Sequence, residues 1–194
     1  MRIITGKLKG RKIKLPKNIR GIRPTSDRTK EGMFGVIDAR KSFRDIRILD
    51  LFSGSGNLGF EAISRGAKDV LFVDNSREAI KWIMENAKSL DIESQVTCQN
   101  LDILRFLQGP PSPYDLVFAD PPYDYPEMLA LIDHIINDGW LKDDGWFILE
   151  HDARHNFADH PHCVFMKPYG RTIVTIFLSY PVYQPDTDEK EEQS

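Results

Sequence analysis

Apolar and basic positions alternate through residues 2–15, where Ile3, Ile4, Leu8, Ile13 and Leu15 are interleaved with lysines and arginines, and Gly6 and Gly10 stand between. This rhythm predicts a small β-hairpin with a cationic exposed face. Pro16 and Pro24 punctuate the next stretch. A helix is expected over residues 27–39, with Met33, Phe34 and Ile37 at core spacing and Glu31 in its first turn. From Arg47 onward the pattern switches to strand and helix in turn. Strands are predicted at 46–51, 70–74, 95–99, 116–120 and 146–150. Between them come a helix at 58–65 stopped by Gly66 and a helix opening at Asn75, with Glu78 three residues on as a capping-box-like start and Ile80, Ile83, Met84 and Ala87 on one face. A third has Pro126 near its start, Leu129, Ile132, Ile135 and Ile136 on its face, and Gly139 after its end. The last two strands, 163–166 and 172–178, are joined by five residues, too few for a crossover helix, so they should form an antiparallel hairpin. The chain therefore reads as α/β: a mainly parallel sheet flanked by helices and closed by one reversed hairpin. No internal repeat is visible.

A length of 194 residues with 41% hydrophobic and 28% charged content fits one domain, or one domain with an appendage. No leader-like or membrane-spanning apolar run occurs, which makes the cytoplasm the expected location. Cys98 and Cys163 lie in strand-like runs without CxxC spacing and read as buried thiols in a reducing compartment, so neither a metal nor redox chemistry is expected. The net charge of −3 conceals two unlike parts. Residues 1–47 hold 15 Lys/Arg against 4 Asp/Glu, a net of +11; the remainder carries −14, with five acids and one Lys190 in the tail 186–194. Such asymmetry points the amino-terminal segment toward a polyanion.

The first strand runs into Asp50-Leu51-Phe52-Ser53-Gly54-Ser55-Gly56-Asn57-Leu58-Gly59, and Asp74 ends the next strand twenty residues after Gly54. Gly54, Gly56 and Gly59 satisfy the dinucleotide pattern GxGxxG, so a nicotinamide-dependent dehydrogenase is one reading. Charge argues against it. A pyrophosphate needs amide donors and would be repelled by Asp50 at the mouth of the loop, whereas a phosphate-free cation is helped by it.

A later strand runs into Asp120-Pro121-Pro122-Tyr123. The paired prolines make a stiff turn that fixes the Asp120 side chain and the Pro121 carbonyl, two acceptors suited to the two N–H donors of an exocyclic amino group. Tyr123 supplies a face on which a base can stack.

The Asp50-x-Phe52-x-Gly54-x-Gly56 arrangement resembles the first motif of class I S-adenosylmethionine-dependent methyltransferases, and Asp120-Pro121-Pro122-Tyr123 resembles the (D/N/S)PP(Y/F/W) motif of those acting on amino nitrogens. Together with the opening residues 1–13, Arg23-Pro24-Thr25-Ser26-Asp27-Arg28, Glu31, Phe34, Glu61-Ala62, residues 64–67 and Tyr169-Gly170-Arg171-Thr172, the chain resembles the bacterial RsmD family from residue 1 to about 180. That resemblance implies a Rossmann-like class I methyltransferase fold with a seven-stranded sheet. It implies S-adenosyl-L-methionine as cofactor, held by Asp50 and the backbone of Ser53, Gly54 and Gly56 at the methionine end, by Asp74 at the ribose, and by Asp102 with Ile103 near the adenine, with Phe52 and Asn75 also in the cofactor-binding set. It also implies methylation of guanine N2 in 16S ribosomal RNA, with Asp120, Pro121, Pro122 and Tyr123 as the catalytic set. Asp74 and Tyr123 stand where the commoner family pattern has Glu and Phe; both keep the required chemistry.

The expected organisation is a basic extension over 1–45, a methyltransferase domain over 46–180 and an acidic, disordered tail over 181–194. Lys7, Lys9, Arg11, Lys12, Lys14, Arg23, Thr25 and Arg28 are the candidate nucleic-acid contacts, and ribosomal RNA, alone or within the assembling small subunit, is the expected partner of a monomer. Histidines at 155, 160 and 162 read as a solvated loop, not a metal site. Two other readings differ in consequence: a DNA adenine-N6 methyltransferase, which the absence of a separate DNA-reading domain disfavours, and a non-catalytic RNA-binding module with a vestigial pocket.

Overall fold

A computed structural model describes residues 1–15 and 27–182, so that nearly all of the tail expected over 181–194 lies outside the described residues. Its elements are α1 (Asp27–Asp38), β1 (Arg47–Leu51), α2 (Asn57–Arg65), β2 (Asp69–Asp74), α3 (Arg77–Ser89), β3 (Val96–Asn100), α4 (Ile103–Leu107), β4 (Tyr114–Ala119), α5 (Met128–Asn137), β5 (Leu141–His151), β6 (Cys163–Tyr169) and β7 (Thr172–Leu178). The strands form a seven-stranded sheet in the order β3-β2-β1-β4-β5-β7-β6. The first five run parallel, and β7 is antiparallel to both β5 and β6. This is the sheet and reversed hairpin that the strand spacing predicts.

Alternation along the strands divides the interior into two layers. Ile48, Val70, Phe72, Leu116, Phe118 and Ile148 pack with α1, α2 and α3 on one face, while Leu49, Leu51, Val73, Val117, Ala119 and Leu149 pack with α4 and α5 on the other. Ile3, Leu8 and Ile13 belong to the first layer, so the amino-terminal segment shares its core with the sheet.

Residues 1–13 fold back on themselves, but only Arg2 and Lys12 form a bridge. The expected ladder is replaced because its amides have partners on α2: Ile4 and Thr5 N–H donate to the Glu61 carboxylate, and Lys7 and Leu8 N–H to Ser64. Glu61 also pairs with Lys30 at 3.3 Å, both side chains wholly buried, and the Lys30 ammonium donates to the Arg2 carbonyl and to Asn57 Oδ1.

Four local expectations are corrected. Met84 is 58% exposed, and the buried face of α3 is Ala79, Ile80, Ile83, Asn86 and Ala87. Ser76, not Asn75, caps α3, because its Oγ accepts from Ala79 N–H. Leu129 is 66% exposed; since α5 begins at Met128, its buried stripe is Met128, Leu131, Ile132 and Ile135. Cys98 and Cys163 are half-buried, because they lie on β3 and β6, the two edge strands. A short helix, α4, also follows β3 where the sequence pattern predicts none.

Candidate active site

At the carboxyl edge of the sheet the strand order reverses between β1 and β4, the position where open α/β sheets leave a crevice for ligands. Asp50 comes from β1, Asp74 ends β2 and Asp120 follows β4 directly. Because Ile48, Phe72 and Phe118 lie in the first core layer and their strand neighbours in the second, two-residue alternation aims all three carboxylates toward the same face.

Each acid has a defined local job. Asp50, 2% exposed, accepts from Gly59 N–H at 3.0 Å, satisfying an orphan donor in the first turn of α2. Burial, with the nearby charges of Asp120 and Asp74, pushes its carboxyl well above the ordinary range despite that hydrogen bond. Asp74 ties the glycine loop to the start of α3, accepting from Gly54 N–H at 2.7 Å and from Ser76 N–H at 2.8 Å. Gly54 and Gly59 amides, which a pyrophosphate would require, therefore already donate to carboxylates. The geometry opposes the dinucleotide reading and suits a ligand that is cationic at this end.

The loop is tightly wound. Phe52, Gly54 and Gly56 adopt φ of 53°, 48° and 73°, and a left-handed conformation at the non-glycine Phe52 is a strain held by the surrounding packing. Its ring meets Tyr125 edge-on at 5.0 Å, so the glycine loop and the segment after the proline pair share an aromatic wall. A β-carbon on Gly59 would lie 2.3 Å from the Phe72 ring, which explains the third glycine by close packing of α2 on β2. Ser53 closes the loop from within, its Oγ donating to Val73 C=O.

The proline turn lies opposite. Pro121 is buried, Pro122 exposed and Tyr123 half-buried. The Tyr123 hydroxyl hydrogen-bonds Thr172 Oγ1 at 2.9 Å, tying the turn to the first residue of β7. Tyr125 N–H donates to Pro122 C=O, and burial, with the charges of Glu127 and Asp102, pushes the Tyr125 hydroxyl up to about 12. Tyr125 is thus a site residue that the motif spacing does not single out; its signal is only a second aromatic two positions after the motif.

Of the other candidates, Asn75 is exposed beside Asp74, and Asp102 caps α4 by accepting from Arg105 N–H at 3.0 Å. Ile103 is 3% exposed and lies in the second core layer. The described basic residues are spread along the side of α2 and α3: Lys12 forms a β-bridge with Arg2, whose carbonyl shares the Lys30 ammonium with Asn57 at the start of α2. Lys7 donates to Gln95 Oε1 and Arg11 to the Ser89 carbonyl, both near the amino end of β3, while Lys9, Lys12 and Lys14 are exposed. Arg23 and Thr25 lie outside the described residues, and of Arg28 only the helical backbone is described.

Among the described residues, no group of three or more His, Cys, Asp or Glu side chains is placed to hold a metal ion. His155 stacks on Phe157, and His160 meets Phe177 edge-on. No helix among those residues is long and apolar enough to cross a membrane.

Comparisons with known proteins agree on one family. The family described as "Conserved hypothetical protein 95" matches residues 1–178. "Putative rRNA methyltransferase YlbH" of Bacillus subtilis is 34% identical over 183 residues, covering 91% of this chain and 98% of its own. "Ribosomal RNA small subunit methyltransferase D" of Haemophilus influenzae is 32% identical, covering 95% and 93%. Among solved structures, "Putative methyltransferase yhhF" of Escherichia coli superposes with a TM-score of 0.80 at 28% identity, covering 92% of this chain and 97% of that one. With its sheet order, carboxylate-lined glycine loop and Asp-Pro-Pro-Tyr turn, the chain has the class I methyltransferase fold and belongs to the Conserved hypothetical protein 95 family, the RsmD-like methyltransferases.

Proposed function

We propose that this protein transfers a methyl group from S-adenosylmethionine to the exocyclic N2 of a guanine in small-subunit ribosomal RNA. The observation that carries the reading is the pairing of a carboxylate-lined glycine loop with a stiff Asp-Pro-Pro-Tyr turn across one crevice. Asp50 and the loop at 53–56 take the methionine end, Asp74 with Asn75 the ribose, and Asp102, Ile103 and the Phe52–Tyr125 wall the adenine. The fit rests on charge: the loop's amides are spent on Asp50 and Asp74, which favours a cation and disfavours a phosphate.

S-adenosylmethionine, when bound, supplies an electrophilic methyl on a positively charged sulfur. The protein's part is positioning. Asp120 and the Pro121 carbonyl accept the two N–H donors of the target amine and turn its lone pair toward the methyl. Tyr123, its hydroxyl fixed by Thr172, offers its ring to the base. Asp50, the loop at 53–56 and Asp74 would hold the methyl donor, whose methyl would pass to N2 with the sulfur–carbon bonding pair kept by sulfur. One N2 proton then leaves to the Asp120 carboxylate or to water, giving S-adenosylhomocysteine and N2-methylguanine.

The names of the relatives support ribosomal RNA as the substrate class. Incubation with labelled S-adenosylmethionine and under-methylated ribosomal RNA or small subunits tests the reading. Label on guanine N2 is expected. Label on DNA adenine alone would transfer the same geometry to another substrate, and no S-adenosylmethionine binding by calorimetry would leave a non-catalytic module.

A further inference from the structure

One more buried acid lies near the carboxyl end of a strand, Glu150 next to the last residue of β5, and the chemistry above does not use it. Glu150 is 3% exposed. In the parallel pairing of β4 with β5, Ala119 lies opposite Leu149. β4 ends at Ala119, so the next residues in that register, Asp120 just past the end of β4 and Glu150 still within β5, stand level with each other at the carboxyl edge. Ile148 and Phe118 share the first core layer, and Leu149 and Ala119 the second, so alternation sends Glu150 to the face that Asp50, Asp74 and Asp120 occupy. Along that edge the cofactor acids stand on β1 and β2, and Glu150 stands on the far side of Asp120, where the target base would lie.

Resting on the guanine reading, we propose that Glu150 is the residue that selects guanine, by accepting the N1–H of the base whose N2 is held by Asp120. The Watson–Crick edge of guanine presents N1–H and N2–H donors side by side, and two adjacent carboxylates are the matching acceptors. Adenine and cytosine place a ring-nitrogen lone pair next to their amino groups, which a carboxylate repels. A carboxylate offers about four acceptor positions; bonds from within the protein and from a base can coexist on Glu150. The acid thus rejects the other amino-bearing bases as much as it attracts guanine.

The test replaces the target guanine by 2,6-diaminopurine, which keeps the N2 amine but carries a lone pair at N1. The substrate is ribosomal RNA ligated from a synthetic segment, and kcat/KM is compared for wild type and Glu150→Gln. Wild type should prefer guanine by on the order of 10- to 100-fold, the scale of a mismatched hydrogen bond to a charged group. Glu150→Gln, whose amide can donate as well as accept, should bring that ratio to within about threefold, with S-adenosylmethionine affinity unchanged. Wild type that methylates both purines equally overturns the assignment without any variant, which covers a variant that fails to fold. A folded Glu150→Gln that slows both purines alike, with the ratio kept, overturns it too and leaves Glu150 a structural acid. Wild type that puts no methyl on guanine N2 overturns the functional reading itself, and the assignment with it.

Discussion

Asp50 shows how a single residue can cost stability and serve a site. Its burial beside two other carboxylates raises its carboxyl well above the ordinary value, so at a pH between the unfolded and folded values the folded protein keeps a proton there that the unfolded chain releases. As pH rises from the unfolded value, about 3.9, toward the raised folded one, stability is lost. Asp50→Asn, which keeps an acceptor for Gly59 N–H, should therefore melt higher than wild type near neutral pH, with the gap closing as pH falls toward 4. It should also weaken S-adenosylmethionine binding. A melting difference independent of pH would contradict the cause given. On the proposed reading, the neighbouring acids should separate two functions. Asp120→Ala should abolish transfer while leaving cofactor affinity within a few-fold. Asp74→Ala, which frees the Gly54 and Ser76 amides, should lower that affinity, as calorimetry would read directly.

Elements hold the site by bonds and packing between distant segments. A β-carbon on Gly59 would meet Phe72, so Gly59→Ala should force α2 away from β2 and destabilise by about 1–3 kcal/mol in denaturant unfolding. Glu61→Ala removes a charged partner of the buried Lys30 and the acceptor of two amino-terminal amides. The expected loss is about 3–5 kcal/mol, with hydrogen exchange at Ile4 and Thr5 rising first. The same long-range bonds divide what the sequence makes legible from what it hides. The strand–helix alternation, the chain-reversing final hairpin and the acids at the ends of β1, β2 and β4 follow from local period and spacing. The amino-terminal ladder does not, because its amides bond to Glu61 and Ser64, more than fifty residues away. Leu129 fits an apolar helical period as well as its neighbours do, and only the true start of α5 turns it to solvent. Tyr125 and Glu150 carry no motif; only the register of β4 with β5, in which Ala119 faces Leu149, sets Glu150 level with the start of the proline turn.

Across the molecule's described residues, part of the basic segment reaches well away from the crevice. The acids of the crevice lie at the carboxyl edge of the sheet, while Lys7 and Arg11 reach the amino end of β3. RNA held by both would run along the side of the molecule, with the target guanine at one end. Replacing Lys7, Lys9 and Arg11 by alanine should weaken RNA binding, lower the log–log salt slope by roughly 0.7 for each phosphate no longer neutralised, and leave S-adenosylmethionine binding unchanged. An unchanged slope would remove these residues from the RNA surface. The identity of the methylated nucleoside decides whether the crevice acts on guanine N2 at all. Nucleosides from under-methylated small-subunit ribosomal RNA, incubated with S-adenosylmethionine with and without this protein, are compared by mass spectrometry. N2-methylguanosine should appear only with the protein and be lost with Asp120→Ala; a methylated adenosine or cytidine in its place, or no new nucleoside, would contradict the proposed reaction.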